Sequence, residues 1–556
     1  MEALLKQIRD SVIGAGKLIP TSFGKKPLVY ADYTASGRAL SFVEDYIRDS
    51  VLPSYANTHT ETSFTGAQTT ALREQSREII RRAVNGSSND KVIFCGSGAT
   101  AAINKLIDIL GLRLPHDLDR EHDTQHKIKT GNKPVVFIGP YEHHSNELPW
   151  RESAVDLVPI PLTAQGQICL ATLEKELQRY AQRDLKIGSF SAASNVTGVK
   201  TDVERVTRLL KRHGARAFWD YAAAAPYVSI DMNASADSAI DAVFISPHKF
   251  VGGPGSPGIL VAKRDLFTNA VPAVVGGGTV LYVTPEDHRY IDEPERREEG
   301  GTPAIIESIR AGLAFKLQQE VGTENIERRE ADFVERALRY FKDCPNLEVL
   351  GNLEAPRLSI VSLRFKHGER DLHYGFVVSL LNDLFGIQVR GGCSCAGPYG
   401  HTLLGMDMDY SRAIEAEIQR GAMILRPGWV RLNFNYFIDE SEFQYLIQAI
   451  GLVAEHGWRL LPSYRFDTDA GVWRYHGRVT QLPLDLNGFN FASGTVNHER
   501  SDPKQRALDE WLALAECELC KRDRSEIPHR IPLSEAAERL RWFVLPEEVT
   551  QHMACA

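Results

Sequence analysis

Lys249 sits where a lysine is costly. Two apolar runs, Ala242-Val243-Phe244-Ile245 and Gly258-Ile259-Leu260-Val261-Ala262, read as buried strands, and Ser246-Pro247-His248-Lys249 follows the first of them. Burial lowers a lysine pKa and frees the amine as a nucleophile. The chemistry that uses such an amine is Schiff-base formation with an aldehyde cofactor. Ser246 and His248 would then hydrogen-bond a phosphate and a ring. A surface turn with one lysine reads the same in isolation, so the decision rests on what precedes it. Ala215 to Asp220 is a second strand-like run, ending in an acid; a carboxylate there keeps a pyridine nitrogen protonated and the ring an electron sink. Earlier still, Val92 to Cys95 runs through Gly96-Ser97-Gly98 into Ala99-Thr100, a strand, a small-residue turn and a helix start. Backbone N–H groups there, with the Thr100 hydroxyl, make a phosphate cradle. Cradle, aspartate and lysine in that order point to pyridoxal 5'-phosphate (PLP).

With these residues in place the chain resembles the class V aminotransferase group of fold-type I PLP enzymes, from about residue 28 to 454, and within it the cysteine desulfurases and selenocysteine lyases. Tyr141-Glu142-His143-His144-Ser145-Asn146 resembles the desulfurase Glu-His-His-x-Asn; the resemblance implies that His143 stacks on the cofactor ring and shuttles protons. It implies that Asn195 bonds the cofactor's phenolic oxygen and borders the substrate. Arg390 to Ala396 overlays the Arg-x-Gly-x-x-Cys-Ala segment, which puts the nucleophilic thiol at Cys395. Cys393 is an extra thiol, as in the desulfurase domain of molybdenum-cofactor sulfurases. Arg431 matches the clamp for the substrate α-carboxylate, and the turn around Ala35 the mouth of the substrate pocket. Thr302, in Glu298 to Pro303, matches a threonine that reaches the neighbouring subunit's phosphate, which implies a homodimer with shared sites. His59 lies where the family often has a histidine facing the site.

Two departures stand out. Ala223 occupies the position of a cofactor-contacting Gln or His, so one hydrogen bond is lost or supplied otherwise. The 36 residues from Cys395 to Arg431 exceed the interval in short bacterial desulfurases, and 401–424 reads as a lid or contact surface. Gly391, Gly392, Gly397 and Gly400 are expected to leave the cysteine loop mobile.

Positioning these residues takes alternating strands and helices, an α/β architecture whose large domain is a mainly parallel sheet flanked by helices, with the site at the strands' carboxyl ends. The expected division is an N-terminal arm (1–26), a large PLP-binding domain (27–305), a smaller α+β domain with the cysteine loop and Arg431 (306–462), and a C-terminal extension (463–556). One long helical stretch is expected from Ile305 to Asp343. Residues 115–132 read as a mobile surface insertion. Short strands or an arm are expected over 466–495, and helices over 502–522 and 533–543. Cys517-x-x-Cys520, with His529 nearby, lacks the second pair that a zinc site needs, and no metal is expected.

A net charge of −8 excludes a strongly basic nucleic-acid binder. No apolar run approaches a membrane span, no leader is apparent, and eight cysteines in 556 residues suit free thiols in a reducing cytoplasm rather than a disulfide framework. The function expected from the resemblance is removal of sulfur or selenium from L-cysteine or L-selenocysteine through a persulfide on Cys395, with a sulfur-acceptor protein as a candidate partner. Lys249, Asp220 and Arg431 would equally serve a class V aminotransferase, epimerase or C–S lyase that forms no persulfide. A catalytically reduced scaffold that uses the extension is a third reading.

Overall fold

Seven strands organise the chain: β1 (Asp90–Cys95), β2 (Val135–Ile138), β3 (Asp156–Pro159), β4 (Lys186–Ser191), β5 (Arg216–Asp220), β6 (Ala242–Ile245) and β7 (Gly258–Lys263). In this computed structural model, which describes residues 1–58, 60–128, 133–479, 506–521 and 528–549 with 482, 484 and 486, their spatial order is β1-β7-β6-β5-β4-β2-β3. β7 runs antiparallel to both neighbours and the other pairings are parallel. The apolar runs are continuous because both faces are covered. Phe137, Trp219, Val243 and Ile245 enter one core, while the alternating Val136, Ile138, Phe218 and Phe244 enter the other, as a period of two requires.

Helices cover the sheet: α1 (Phe64–Ala83), α2 (Gly98–Ile109), α3 (Val203–Arg212) and α4 (Ile305–Val321); α5 (Thr323–Lys342) follows and puts Phe333, Val334, Ala337 and Phe341 into a separate core, that of the second sheet. Ser63 caps α1 by accepting the Gly66 N–H, and Asp202 caps α3 by accepting the Arg205 N–H. The single stretch expected over 305–343 is two helices, because the chain turns at Gly322 with φ +81°. The insertion at 115–132 is not wholly irregular; it holds two short helices, His116–His122 and Thr124–Lys127.

A second sheet, antiparallel throughout, contains β8 (Leu347–Val349), β9 (Ile360–His367), β10 (Arg370–Leu372), β11 (Arg390–Gly392) and β12 (Trp429–Asn433). Its order is β8-β9-β12-β11, with β10 beside β9. Between β11 and β12 lie α6 (Gly397–Leu404) and α7 (Met408–Gln419); α8 (Glu440–His456) follows. The same core takes in Ala515 and Leu519 of α9 (Leu508–Leu519), Ala537 of α10 (Glu535–Leu540), and Phe543. These last two helices are shorter than the sequence reading, and of the strands expected over 466–495 a hairpin of Tyr464–Asp467 and Val472–Tyr475 is described. Among the described residues no helix is long and apolar enough to cross a membrane, and no group of three or more His, Cys, Asp or Glu side chains is placed to hold a metal.

One ion cluster ties the start of the sheet to its covering helix. Glu299 pairs with Arg73 and Arg77 of α1, the latter at 3.0 Å, and accepts the Phe94 N–H of β1 at 2.7 Å. Burial alone would raise its pKa, but Arg77 and Arg73 outweigh it and hold the carboxyl below its ordinary value. Removing Glu299 leaves two buried guanidinium charges with the largely exposed Glu74 as their remaining acid partner. Glu299→Gln is therefore expected to cost about 3–5 kcal/mol, read from urea unfolding; a loss under about 1 kcal/mol, the range of an exposed pair, would contradict this.

Candidate active site

The carboxyl ends of β1, β2, β4, β5 and β6 open on one cleft of about 210 Å³. Ala99 and Thr100 come from the first turn of α2, soon after β1, His143 from the segment after β2, and Asn195 from that after β4. Asp220 is the last residue of β5, and Ser246, His248 and Lys249 leave β6. All of them line the cleft, facing Ala35, Cys395 and Arg431. Thr302 does not; it is exposed and accepts from Asn57 Nδ2 at 3.2 Å. His59 lies outside the described residues.

The electrostatics follow from enclosure. Burial brings the Lys249 pKa down to about 8; Asp220 and Asp32 oppose the fall, and Arg431 adds to it. Asp220 is itself pushed up by burial, although it accepts the Ala222 N–H at 2.8 Å and Lys249 pulls it back. His143 falls to about 3 and His248 to about 4, each through burial first and then Lys249, so both rings are neutral near pH 7. His143 Nδ1 accepts the Ser145 N–H at 3.1 Å, which leaves the ring proton on Nε2. Ser145 Oγ also lies 2.6 Å from Thr100 Oγ1, linking the segment after β2 to the start of α2. The base of that segment is Glu142, which accepts from Asn146 Nδ2 at 2.7 Å and from Ser191 Oγ at 2.6 Å. Burial raises its pKa to about 7.

Across the cleft, Cys393 to Ala396 form a turn closed by the Ala396 N–H on the Cys393 carbonyl at 3.2 Å. Its two central residues, Ser394 and Cys395, have φ of +54° and +55°, a left-handed conformation that non-glycine residues hold only where the surroundings impose it. The surroundings are specific. His144 donates its N–H to the Cys395 carbonyl at 2.8 Å, and its Nε2 accepts the Gly397 N–H at 3.0 Å. Asn195 Nδ2 donates to the Ser394 carbonyl at 2.7 Å, and Trp429 Nε1 to Ser394 Oγ at 3.2 Å. The glycines expected to free this loop have different surroundings: Gly392 holds φ +116° with open space about it. A Cβ on Gly391 would stand 2.7 Å from the Tyr374 ring, and Gly397 and Gly400 lie within α6.

Arg431 is buried and already engaged: Nη2 donates to Asp32 Oδ1 at 3.1 Å and Nη1 to the Asn195 carbonyl at 3.0 Å. Arg390 Nε reaches the other Asp32 oxygen at 3.1 Å. Three buried polar atoms of cleft residues have no partner, namely Arg431 Nε, Thr34 Oγ1 and Asn195 Oδ1. Ala223 also lines the cleft and offers no polar side chain. The sequence reading assigned nothing to Asp32, His144 or Ser145. Asp32 had a signal, since it ends an apolar run as Asp220 does; His144 had none apart from its neighbour.

The chain has known relatives in sequence and in fold. The family profile described as Aminotransferase class-V matches residues 29–444. A probable cysteine desulfurase of Halalkalibacterium halodurans is 29% identical over 376 residues, covering 67% of this chain and 85% of that protein. One from Streptomyces coelicolor is 27% identical, covering 67% and 84%. Among solved structures, the apo cysteine desulfurase of Thermococcus onnurineus superposes with a TM-score of 0.64 at 23% identity, covering 81% of this chain and 98% of that one. The cysteine desulfurase CsdA of Escherichia coli gives 0.62 at 20%, with the same coverages. At these identities the structures speak for the fold.

In protein stripped of small molecules, acylation of Lys249 followed by mass spectrometry against pH is expected to show a midpoint near 8. Because Asp220 raises that value, Asp220→Asn moves the midpoint lower; a midpoint at the ordinary lysine value of 10.5 would contradict the enclosure.

Proposed function

The chain belongs to the class-V aminotransferase family, and from that premise we propose that it is a PLP-dependent cysteine desulfurase, taking sulfur from L-cysteine, or selenium from L-selenocysteine, to leave L-alanine. The observation that carries this reading is that Lys249, Cys395 and Arg431 line a single cleft.

The residues fit the cofactor. A Cβ on Gly98 would stand 2.8 Å from Ser246 Oγ and 2.9 Å from His248 Cε1, so the start of α2 and the segment after β6 close on each other to form a small polar pocket. Ser246 Oγ, the Ala99 N–H that it accepts at 2.9 Å, and Thr100 Oγ1 would hold a phosphate. Asp220, buried and short of a cation, would hold a protonated ring nitrogen, and Asn195 and His143 would border the ring. Bound there and linked to Lys249, PLP supplies an electron sink for the substrate's Cα. The chain's own groups do the rest. The free Nε–H of Arg431 orients the substrate α-carboxylate. Lys249, with a pKa near the working pH, takes and returns a proton at Cα. The Cys395 thiolate attacks the substrate sulfur; an S–S bond forms as the C–S bond breaks, and the carbon fragment gains a proton to become alanine.

L-Cysteine with a thiol reductant is expected to give alanine and sulfide in equal amounts, and Cys395→Ala to lower both by at least about a hundredfold. Unchanged turnover of an amino acid by that variant would favour the second reading, an aminotransferase, epimerase or C–S lyase without persulfide, which Ala223 keeps in view. Bound cofactor in the purified protein separates both from a scaffold role.

We also propose a homodimer in a reducing cytoplasm. Leu281 and Tyr282, 64% and 69% exposed, sit on a hairpin of Val280–Val283 and His288–Tyr290. Val271, Val274 and Val275 are exposed just before it. The patch adjoins Thr302 through the Gly301 N–H on the Gly277 carbonyl at 2.8 Å. An apolar patch of this kind calls for a cover, and a second copy would bring Thr302 to a neighbouring cleft. Sedimentation is expected to show a dimer that Leu281→Glu converts to monomer; a monomeric parent protein at micromolar concentration would contradict this.

A further inference from the structure

The turn that presents Cys395 also carries a second exposed thiol, Cys393, two residues earlier. Cys395 is part of the cleft wall, whereas Cys393 is exposed and is not among the cleft's lining residues. Both thiols are open to solvent, and Cys395 borders the cleft. Two residues of extended chain span at most about 7 Å, and the turn closed on Cys393 shortens this, within the Cα separation that sulfur–sulfur bonding accepts. The turn that carries both thiols is anchored: α6 begins directly after it, and its carbonyls are tied back to His144 and Asn195.

We propose that Cys393 is the outgoing sulfur carrier: it receives the terminal sulfur from a persulfide on Cys395 and passes it to an acceptor thiol outside the cleft. This rests on the desulfurase reading. The Cys393 thiolate attacks the terminal sulfur of Cys395–S–SH, a new S–S bond forms, and the old bond's electron pair leaves on the Cys395 sulfur. The products are Cys393–S–SH and the Cys395 thiolate. No oxidant or reductant is consumed, and Cys395 is restored for another substrate.

The test is fragment-ion mapping of alkylated protein after loading with L-cysteine, and in parallel with inorganic polysulfide, in the absence of reductant. In the parent chain the extra sulfur atom is expected on both Cys393 and Cys395. Cys395→Ser should leave Cys393 unloaded by L-cysteine. Cys393→Ser should still yield the first equivalent of alanine and load Cys395, yet turn over with reduced glutathione as acceptor about tenfold more slowly; Cys393→Ala should behave alike. Sulfur confined to Cys395 in the parent chain, with Cys393→Ser turning over at the parent rate, would overturn the relay. If L-cysteine loads neither thiol, the desulfurase reading fails instead, and the relay is tested in the polysulfide arm against Cys395→Ser: loading of Cys393 that falls in that variant supports transfer from Cys395, and equal loading overturns it.

Discussion

A lysine amine taken out of water, balanced against the carboxylate of Asp220, is the constraint around which the molecule is arranged. Neither group would be tolerated alone: burial pushes the amine towards neutrality and the acid upwards, and each opposes the other's shift. The parallel sheet makes the arrangement affordable, because Asp220 and Lys249 leave neighbouring strands, β5 and β6, at the same end. That end is also where the turn before α2 and the segment after β2 emerge, so a phosphate cradle and a neutral histidine arrive without further design.

The opposite wall is made by distant parts of the chain and is held by polar contacts that cross the cleft. Asp32 joins Arg390 and Arg431, while His144 and Asn195 grip successive carbonyls of the cysteine turn. Asn195 serves both walls, since its own carbonyl receives Arg431. The thiol's position is thereby tied to the segments that carry His143 and Asn195. A left-handed cysteine is held on a turn anchored through its own carbonyls.

Much of this was legible in the sequence because burial and strand ends leave strong marks. The runs before Asp220 and Ser246 are apolar apart from Arg216, and a polar residue at the end of such a run stands out. What escaped reading was long-range: the Asp32 pairing spans the chain to Arg431, and His144 binds the cysteine turn through its backbone as well as its ring, which composition does not reveal. Gly322 was visible as a glycine, but nothing nearby showed that its φ is positive and that the helix breaks there. The extension's shared core with the second sheet was hidden for the same reason, since Ala515, Leu519 and Phe543 look ordinary until their partners are known.

The central claim, that this cleft is built around one reactive lysine for an aldehyde cofactor, is tested most directly by borohydride reduction of protein loaded with PLP, followed by peptide mapping. The account predicts the reduced cofactor on the peptide containing Lys249 and its loss in Lys249→Ala. A stable adduct on another lysine, with Lys249 unmodified, would contradict it.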